Sequence, residues 1–328
     1  MGTSSSSKIE KDFTDLGEEI PENLIGIENK SNTCYANSVI QSLYFCKEFK
    51  DNLLGSKALP NTLTKHMQDL FFLMKSSKKK TGVISAKAFI QQVKRLNILF
   101  NNDHHHDSHE FLIWVLSTLD EELKKVGKSW IEDIFAGKSV TQLMCLTCES
   151  TSNREELFMD LSLDVMQNTS LISSLNSFTK PERMSEENKF HCEYCSCKQE
   201  AERRTLIKHN PQVLICHLKR FKYSEQYKRY TKLNYRVAFP SQLRLDNTLG
   251  ENDDKLYELY SIIVHLGPGF QFGHYMSFVK INEHWIRFDD DYIERADENM
   301  IQYIFGSPRD TGSAPCGYIL FYRLANKF

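Results

Sequence analysis

Two Cys-x-x-Cys pairs, Cys145-Leu146-Thr147-Cys148 and Cys192-Glu193-Tyr194-Cys195, lie 43 residues apart in this 328-residue chain. No other feature limits the fold as strongly. Two tight cysteine knuckles have the spacing of a zinc ribbon, in which four thiolates close a tetrahedral site and tie remote segments together. Sulfur fills every position of such a site, so its zinc is structural. Free core cysteines are the plain alternative. A redox reading fits worse, because there are two pairs and neither follows a βαβ pattern. His191 and Cys197 are spare neighbours that blur the ligand set. Cys46, Cys216 and Cys316 lie in apolar contexts and read as small buried hydrophobes.

The clip divides the chain. Before it, apolar residues recur at helical spacing over Ala36–Phe49, Leu63–Met74 and Ser108–Val126, with Asp107 or Ser108 as a helix cap. After it, strand signals dominate. Leu157-Met159-Leu161-Leu163-Val165 alternates at period two, and Val213–Leu218, Tyr257–His265, Tyr275–Ile281, Trp285–Asp289 and Gly317–Tyr322 read as strands. The expected class is α+β. Residues 1–22 are polar, end at Pro21 and read as a flexible tail.

Composition narrows the function. With 41% hydrophobic and 26% charged residues the chain is long enough for a sizeable core. Its net charge of -2 gives no field for a nucleic acid, and Lys78-Lys79-Lys80 reads as a solvated loop. The N-terminal stretch is not a signal peptide, and no apolar run approaches the ~20 residues of a membrane span. A reducing location, cytoplasmic or nuclear, is expected. Met1-Gly2-Thr3-Ser4-Ser5-Ser6 fits an N-myristoylation pattern at Gly2, although a serine-rich leader is the plainer reading.

Chemistry enters at the two ends. Cys34 lies in Gly26-Ile27-Glu28-Asn29-Lys30-Ser31-Asn32-Thr33-Cys34-Tyr35-Ala36-Asn37-Ser38, at or just before a helix start, where backbone N–H groups and the helix dipole favour a thiolate. Gly273-His274-Tyr275 follows 240 residues later. A thiolate attacks a carbonyl carbon well and needs a base beside it, for which His274 is the candidate. The strand after His274 turns near Asn282-Glu283 and returns as Trp285-Ile286-Arg287-Phe288-Asp289-Asp290-Asp291. That register sets one of the three aspartates against His274, to orient the imidazole. A slip of one residue reverses the face, so only one of two adjacent aspartates can be the main partner. The oxyanion needs donors. The backbone N–H of Cys34 is one, and Asn29 or Asn32 offers a side-chain amide, though either serves equally as a turn former.

Together these residues resemble the ubiquitin-specific protease family of deubiquitinases. The first box runs from Gly26 through Leu43. The second is Gly273-His274-Tyr275 with Trp285-Ile286-Arg287-Phe288-Asp289-Asp290. His106-Asp107-Ser108-His109-Glu110-Phe111-Leu112, His217-Leu218-Lys219-Arg220-Phe221 and Gly317–Tyr322 are similar to further family segments. Leu43–Cys46, Tyr223–Arg236 and Phe239-Pro240 look closest to the ubiquitin-specific protease 12 and 46 subfamily.

The resemblance implies a papain-like cysteine protease fold in one catalytic domain over 23–326. Its parts would be a helical thumb (24–138), zinc-ribbon β fingers (139–205) and a β-rich palm (206–326). It implies hydrolysis of the isopeptide bond after the ubiquitin C-terminus. Cys34 would be the nucleophile, His274 the base, Asp289 the orienting acid, Asp290 its assistant and Asn29 the oxyanion donor, with zinc on Cys145, Cys148, Cys192 and Cys195. It also implies weak intrinsic activity raised by a WD40-repeat partner. A silent ubiquitin-binding scaffold of the same fold is the alternative. Ser31 stands where the family has glycine, at a cost of about 1 kcal/mol if its φ is positive. His106 and Ser108 replace a glutamine and an alanine.

Overall fold

The computed structural model describes residues 3–225, 228–245, 255–269, 272–307 and 314–325, and the side chains from residue 8 onward. The pattern at Gly2 lies outside the described residues. The chain opens with helix α1 (Thr3–Asp15) and a short strand, β1 (Leu24–Ile27). Helices α2 (Cys34–Tyr44), α3 (Lys47–Gly55) and α4 (Leu63–Lys75) follow. Strand β2 (Thr81–Ile84) pairs in parallel with β1 and leads to α5 (Lys87–Leu96), α6 (Ser108–Lys124) and α7 (Ile131–Phe135).

Helix α2 is the centre of this unit. Every residue from Cys34 to Tyr44 is buried, and a helix buried all round must satisfy its polar side chains internally. Gln41 Nε2 donates to the Ile25 carbonyl at 2.7 Å, and Ser42 accepts from the Ser261 hydroxyl at 2.9 Å. The helix is thereby lashed to β1 on one side and to the later sheet on the other. The expected helix over Ala36–Phe49 breaks at Phe45-Cys46, and α3 starts afresh with Cys46 as its cap residue. Asp107 does cap α6, accepting from the His109 N–H at 2.7 Å.

From residue 137 the chain is mostly strand. An exposed sheet has the order β4-β3-β10-β7, built from β3 (Gly137–Cys145), β4 (Thr151–Phe158), β7 (Glu182–Met184) and β10 (Ala201–His209). Strand β5 (Leu161–Asp164), the two-residue β6 (Thr169–Ser170) and α8 (Leu171–Thr179) lie between β4 and β7. A small hairpin, β8 (Phe190–Cys192) with β9 (Cys197–Gln199), stands beside the β3–β4 tip.

The remaining strands are β11 (Val213–Lys219), β12 (Phe221–Ser224), β13 (Arg229–Lys232), β14 (Val237–Ala238), β15 (Gln242–Arg244), β16 (Leu256–Gly269), β17 (Phe272–Ile281), β18 (His284–Asp289), β19 (Tyr292–Ala296) and β20 (Cys316–Leu324), with α9 (Glu298–Tyr303) before the last. The main sheet runs β19-β18-β17-β16-β20-β11-β5, with β15 on β16.

That sheet is buried on both faces. Ile215, Ile263 and Phe321 face the helical unit, and their chain neighbours Leu214, Ile262 and Leu320 fill a second core on the opposite side. Strands covered on both faces read as continuous apolar runs, as these do. Helix segregated before strand bears out the α+β expectation.

Two expectations need correction. The N-terminal segment is not a free tail: α1 docks through Ile9 and Phe13, which are 0% and 2% exposed. Phe13 meets the His284 ring edge-on at 5.6 Å. Apolar residues at i and i+4 cover one helical stripe, which is enough when a partner surface waits for it. The alternating run Leu157–Val165 is not one strand. It breaks after Phe158, so β4 joins the exposed sheet and β5 pairs in parallel with β11.

Candidate active site

Cys34 is the first residue of α2 and is 1% exposed. Thr33 precedes it without a side-chain cap, so no side chain closes off the first turn. The Thr33 N–H is instead held by Asn29 Oδ1 at 2.9 Å. The left-handed position of this loop falls on Asn32 (φ 54°), and Ser31 is not among the positive-φ residues. The expected strain at Ser31 is therefore absent, because asparagine tolerates that conformation. Asn32 donates to the Asp103 carbonyl at 2.8 Å, which makes it the turn former of the two asparagines.

His274 comes from β17, with Cys34 close enough on one side to raise its pKa and Asp289 hydrogen-bonded to it on the other. Its Nε2 lies 2.5 Å from Asp289 Oδ1 and 3.9 Å from Asp290 Oδ2. The choice between the aspartates follows from register. Ser277 pairs with Phe288; by alternation, residue 274 falls opposite residue 291, and Asp289 is its same-face diagonal neighbour. Asp290, of the opposite parity, leaves the strand through a left-handed turn (φ 53°).

Asp290 is then clamped. Asn29 Nδ2 donates to its Oδ2 at 2.8 Å, and Asn37 Nδ2 to its Oδ1 at 2.8 Å. Its carbonyl accepts from the Ile27 N–H at 2.9 Å. Gly26 makes the close approach possible: a Cβ there would sit 3.0 Å from the Asp290 carbonyl oxygen. The acidic turn is thus stitched to both β1 and α2. The Asn29 and Asn37 bonds to Asp290 were not legible in the sequence, since an amide–carboxylate pair more than 250 positions apart carries no local signal.

The electrostatics distinguish the groups. The Asp289 carboxylate, then Cys34, push His274 up to about 10 against the opposing effect of burial. Burial raises Asp289, but His274 and then Arg287 outweigh it and hold the carboxyl below its ordinary range. Asp290 lies above that range, chiefly through burial and in spite of its two amide partners. One acid is kept charged beside the imidazole, and the other is a structural hinge.

A second polar cluster joins α6 to the sheets. His109 Nε2 lies 3.1 Å from Asp160, and its ring stacks on His217 at 3.6 Å with 13° between planes. His217 Nδ1 meets the Ser162 hydroxyl at 2.9 Å, and Tyr318 donates to Asp107 at 2.6 Å. Burial, then His109, pushes His217 down to about 3. Rings stacked face to face do not aim their in-plane lone pairs at one point, and the cluster serves as a polar joint between α6 and the sheets.

The cysteine pairs converge as the spacing requires. Sulfur atoms of Cys145, Cys148, Cys192 and Cys195 all lie within 4.8 Å of one another, and those of Cys148 and Cys192 are 3.6 Å apart. Cys197 is outside this set, accepting from Gln199 at 3.1 Å. Cys195 is pushed upward by Cys148, burial and the other two sulfurs. Four thiols this close do not all ionise without a cation.

The ubiquitin carboxyl-terminal hydrolase family model matches residues 25–322. The chain belongs to that family. It is 41% identical to ubiquitin carboxyl-terminal hydrolase 4 of Arabidopsis thaliana, covering 97% of this chain and 98% of the relative. It is 39% identical to ubiquitin carboxyl-terminal hydrolase 12 of Salmo salar, covering 98% and 95%. The expected ubiquitin-specific protease fold and its likeness to the 12 subfamily stand on these matches.

Proposed function

We propose that this chain is a thiol-dependent deubiquitinase that cleaves the isopeptide bond after the ubiquitin C-terminal glycine, with Cys34, His274 and Asp289 as its triad. The observation that carries the reading is His274, which feels the Cys34 thiol on one side and sets its Nε2 2.5 Å from Asp289 Oδ1 on the other.

The Cys34 thiolate attacks the glycine carbonyl carbon. The tetrahedral oxyanion is met by the N–H of Cys34 and by Asn29, whose Nδ2 has two hydrogens and commits one to Asp290. His274 passes its proton to the departing amine, the C–N bond breaks, and a thioester remains on Cys34. Water then attacks with its proton taken by His274, which frees the acid and restores the thiol. Asp289 keeps the imidazole aimed throughout, and Asp290 fixes the turn that carries Asp289.

In this reading the helical unit is the thumb, the exposed sheet the fingers and the main sheet the palm. Cys145, Cys148, Cys192 and Cys195 hold a zinc that supplies a cross-link and no chemistry. The nine free cysteines suit a reducing compartment, cytoplasm or nucleus.

Incubation of the purified protein with ubiquitin carrying a C-terminal thiol-reactive warhead tests the reading, followed by intact mass and peptide mapping. One ubiquitin adduct on Cys34, absent in Cys34→Ser, is expected. If no adduct forms, with or without a WD40-repeat activator, the chain is a silent scaffold.

A further inference from the structure

Strand pairing sets Arg287 opposite Glu294 and Asp289 opposite Tyr292. Residues two apart on a strand share a face, so these four side chains stand on one side of the β18–β19 ribbon. Arg287 Nη2 lies 3.1 Å from Glu294 Oε1 and 3.9 Å from Asp289 Oδ2. The other oxygen of Asp289 is the one bonded to His274. Glu294 takes two more partners on its second oxygen, the Tyr292 hydroxyl at 3.0 Å and the Lys8 ammonium at 3.3 Å. Lys8 belongs to α1, which Ile9 and Phe13 seat in the core beside β19.

We propose that Arg287 is a positioning residue for Asp289, and that the N-terminal helix reaches the catalytic acid through Lys8 and Glu294. A carboxylate bonded to imidazole through one oxygen still rotates about its Cβ–Cγ bond unless the second oxygen is also attracted. Among the described residues, Arg287 is the cation within 4 Å of that second oxygen. Glu294 competes for the same guanidinium nitrogen at shorter range. Lys8 and Tyr292 take up part of the Glu294 charge, which leaves more of the Arg287 field for Asp289. This contact is reinforced by burial: the Glu294 side chain is only 12% exposed. The inference rests on the Cys34–His274–Asp289 reading above.

The test uses the full chain and four variants: Arg287→Gln, Arg287→Lys, Lys8→Ala and Asp289→Asn. Steady-state kinetics on a ubiquitin C-terminal fluorophore give kcat and KM separately. One-dimensional proton NMR follows the low-field proton of the short His274–Asp289 bond. Arg287→Gln is expected to lower kcat about 2- to 5-fold, the range for one partly exposed ion pair, with KM unchanged. The low-field proton broadens or moves upfield in that variant and returns in Arg287→Lys. Lys8→Ala shifts both readouts the same way by a smaller factor.

In an Asp289→Asn background, Arg287→Gln has no further effect on kcat. A kcat and a low-field proton unchanged by Arg287→Gln, while Asp289→Asn loses activity, would overturn this inference alone. Full activity in Asp289→Asn would instead overturn the triad reading. A fold defect is recognised by equal losses in Arg287→Gln and Arg287→Lys, and it too overturns the proposal.

Discussion

The catalytic junction and the cysteine knuckles both join segments far apart in sequence, but they are held by different means. At the junction, α2 is buried on every side; its Gln41 and Asn37 amides reach β1 and the acidic turn, and its Ser42 hydroxyl accepts from Ser261 of β16. The bonds of Gln41 and Ser42 there are fully buried, and that of Asn37 to Asp290 is partly so. At the knuckles, β4 is exposed along nearly its whole length, and exposed ion pairs such as Lys208–Glu155 and Arg183–Glu200 lie on the sheet's backbone ladders. Cys145, Cys148, Cys192 and Cys195 are the points where remote loops of that region converge. A preorganised site needs no metal, whereas the exposed sheet would draw its order from one in the reading proposed above.

Metal removal is the strongest way to break this contrast. Structural zinc sites contribute about 10–16 kcal/mol in small domains. Chelation under reducing conditions, or paired Cys145→Ser and Cys148→Ser, is expected to free the amides of β8, β9 and the β3–β4 tip in hydrogen exchange. Protection in α2 and β17 should stay. Simultaneous loss in both regions would show that the junction depends on the clip after all.

The next effect falls on the junction. Asp289→Asn is expected to lower kcat by on the order of 10² to 10⁴, as when the orienting acid of a triad is neutralised. It also changes the pH profile in a fixed direction. Asp289 is the main reason His274 is pushed up to about 10. A raised folded value means the imidazolium pairing is fully present below the ordinary histidine range and is lost as pH rises through about 10. In the variant that upper limit moves toward neutrality, so alkylation of Cys34 should lose its alkaline limb at lower pH. An alkaline limb that stays in place would mean that another group holds the proton.

Much of this contrast could be read from the sequence, and the exceptions share a cause. Cysteine spacing identified the clip, and the hairpin register narrowed the partner of His274 to three adjacent acids. Local pattern served in both cases because the relevant distances are short along the chain. Helix α1 was missed because Ile9 and Phe13 are two apolar residues in a polar stretch. Only the surface of β19 and β2 makes them a buried stripe. The break after Phe158 was missed because alternation continues across it while the two strands join different sheets. Asp290 was recognised as an assistant, but its clamp by Asn29 and Asn37 depends on side chains that tertiary structure alone brings together.

That clamp gives a smaller, more specific test. Asn37 is 3% exposed and donates to an acid that burial already pushes upward. Asn37→Ala removes a charge-assisted bond worth about 1.5–3 kcal/mol. Thermal unfolding should fall accordingly, and kcat should drop with it because the turn carrying Asp289 loosens. Asn37→Asp should be worse for activity than alanine, since it sets a second carboxylate against Asp290. Stability lost with kcat intact would separate the turn from catalysis and weaken the account of a preorganised junction.

The smallest effect is expected in the fingers, and it sharpens the comparison because the bond looks good on paper. Arg183 Nη2 meets Glu200 Oε2 at 2.6 Å across the β7–β10 edge, with side chains 67% and 37% exposed. The Asn37–Asp290 bond is no shorter, at 2.8 Å. Distance therefore does not separate the two. Water does: an exposed pair trades one set of hydrogen bonds for another and spends side-chain entropy to hold its geometry, so such pairs are worth little. Arg183→Gln should leave both the unfolding temperature and the exchange protection of β10 indistinguishable from the parent. A clear loss of protection there would mean that surface charges, and not the sulfur clip, order this part of the molecule.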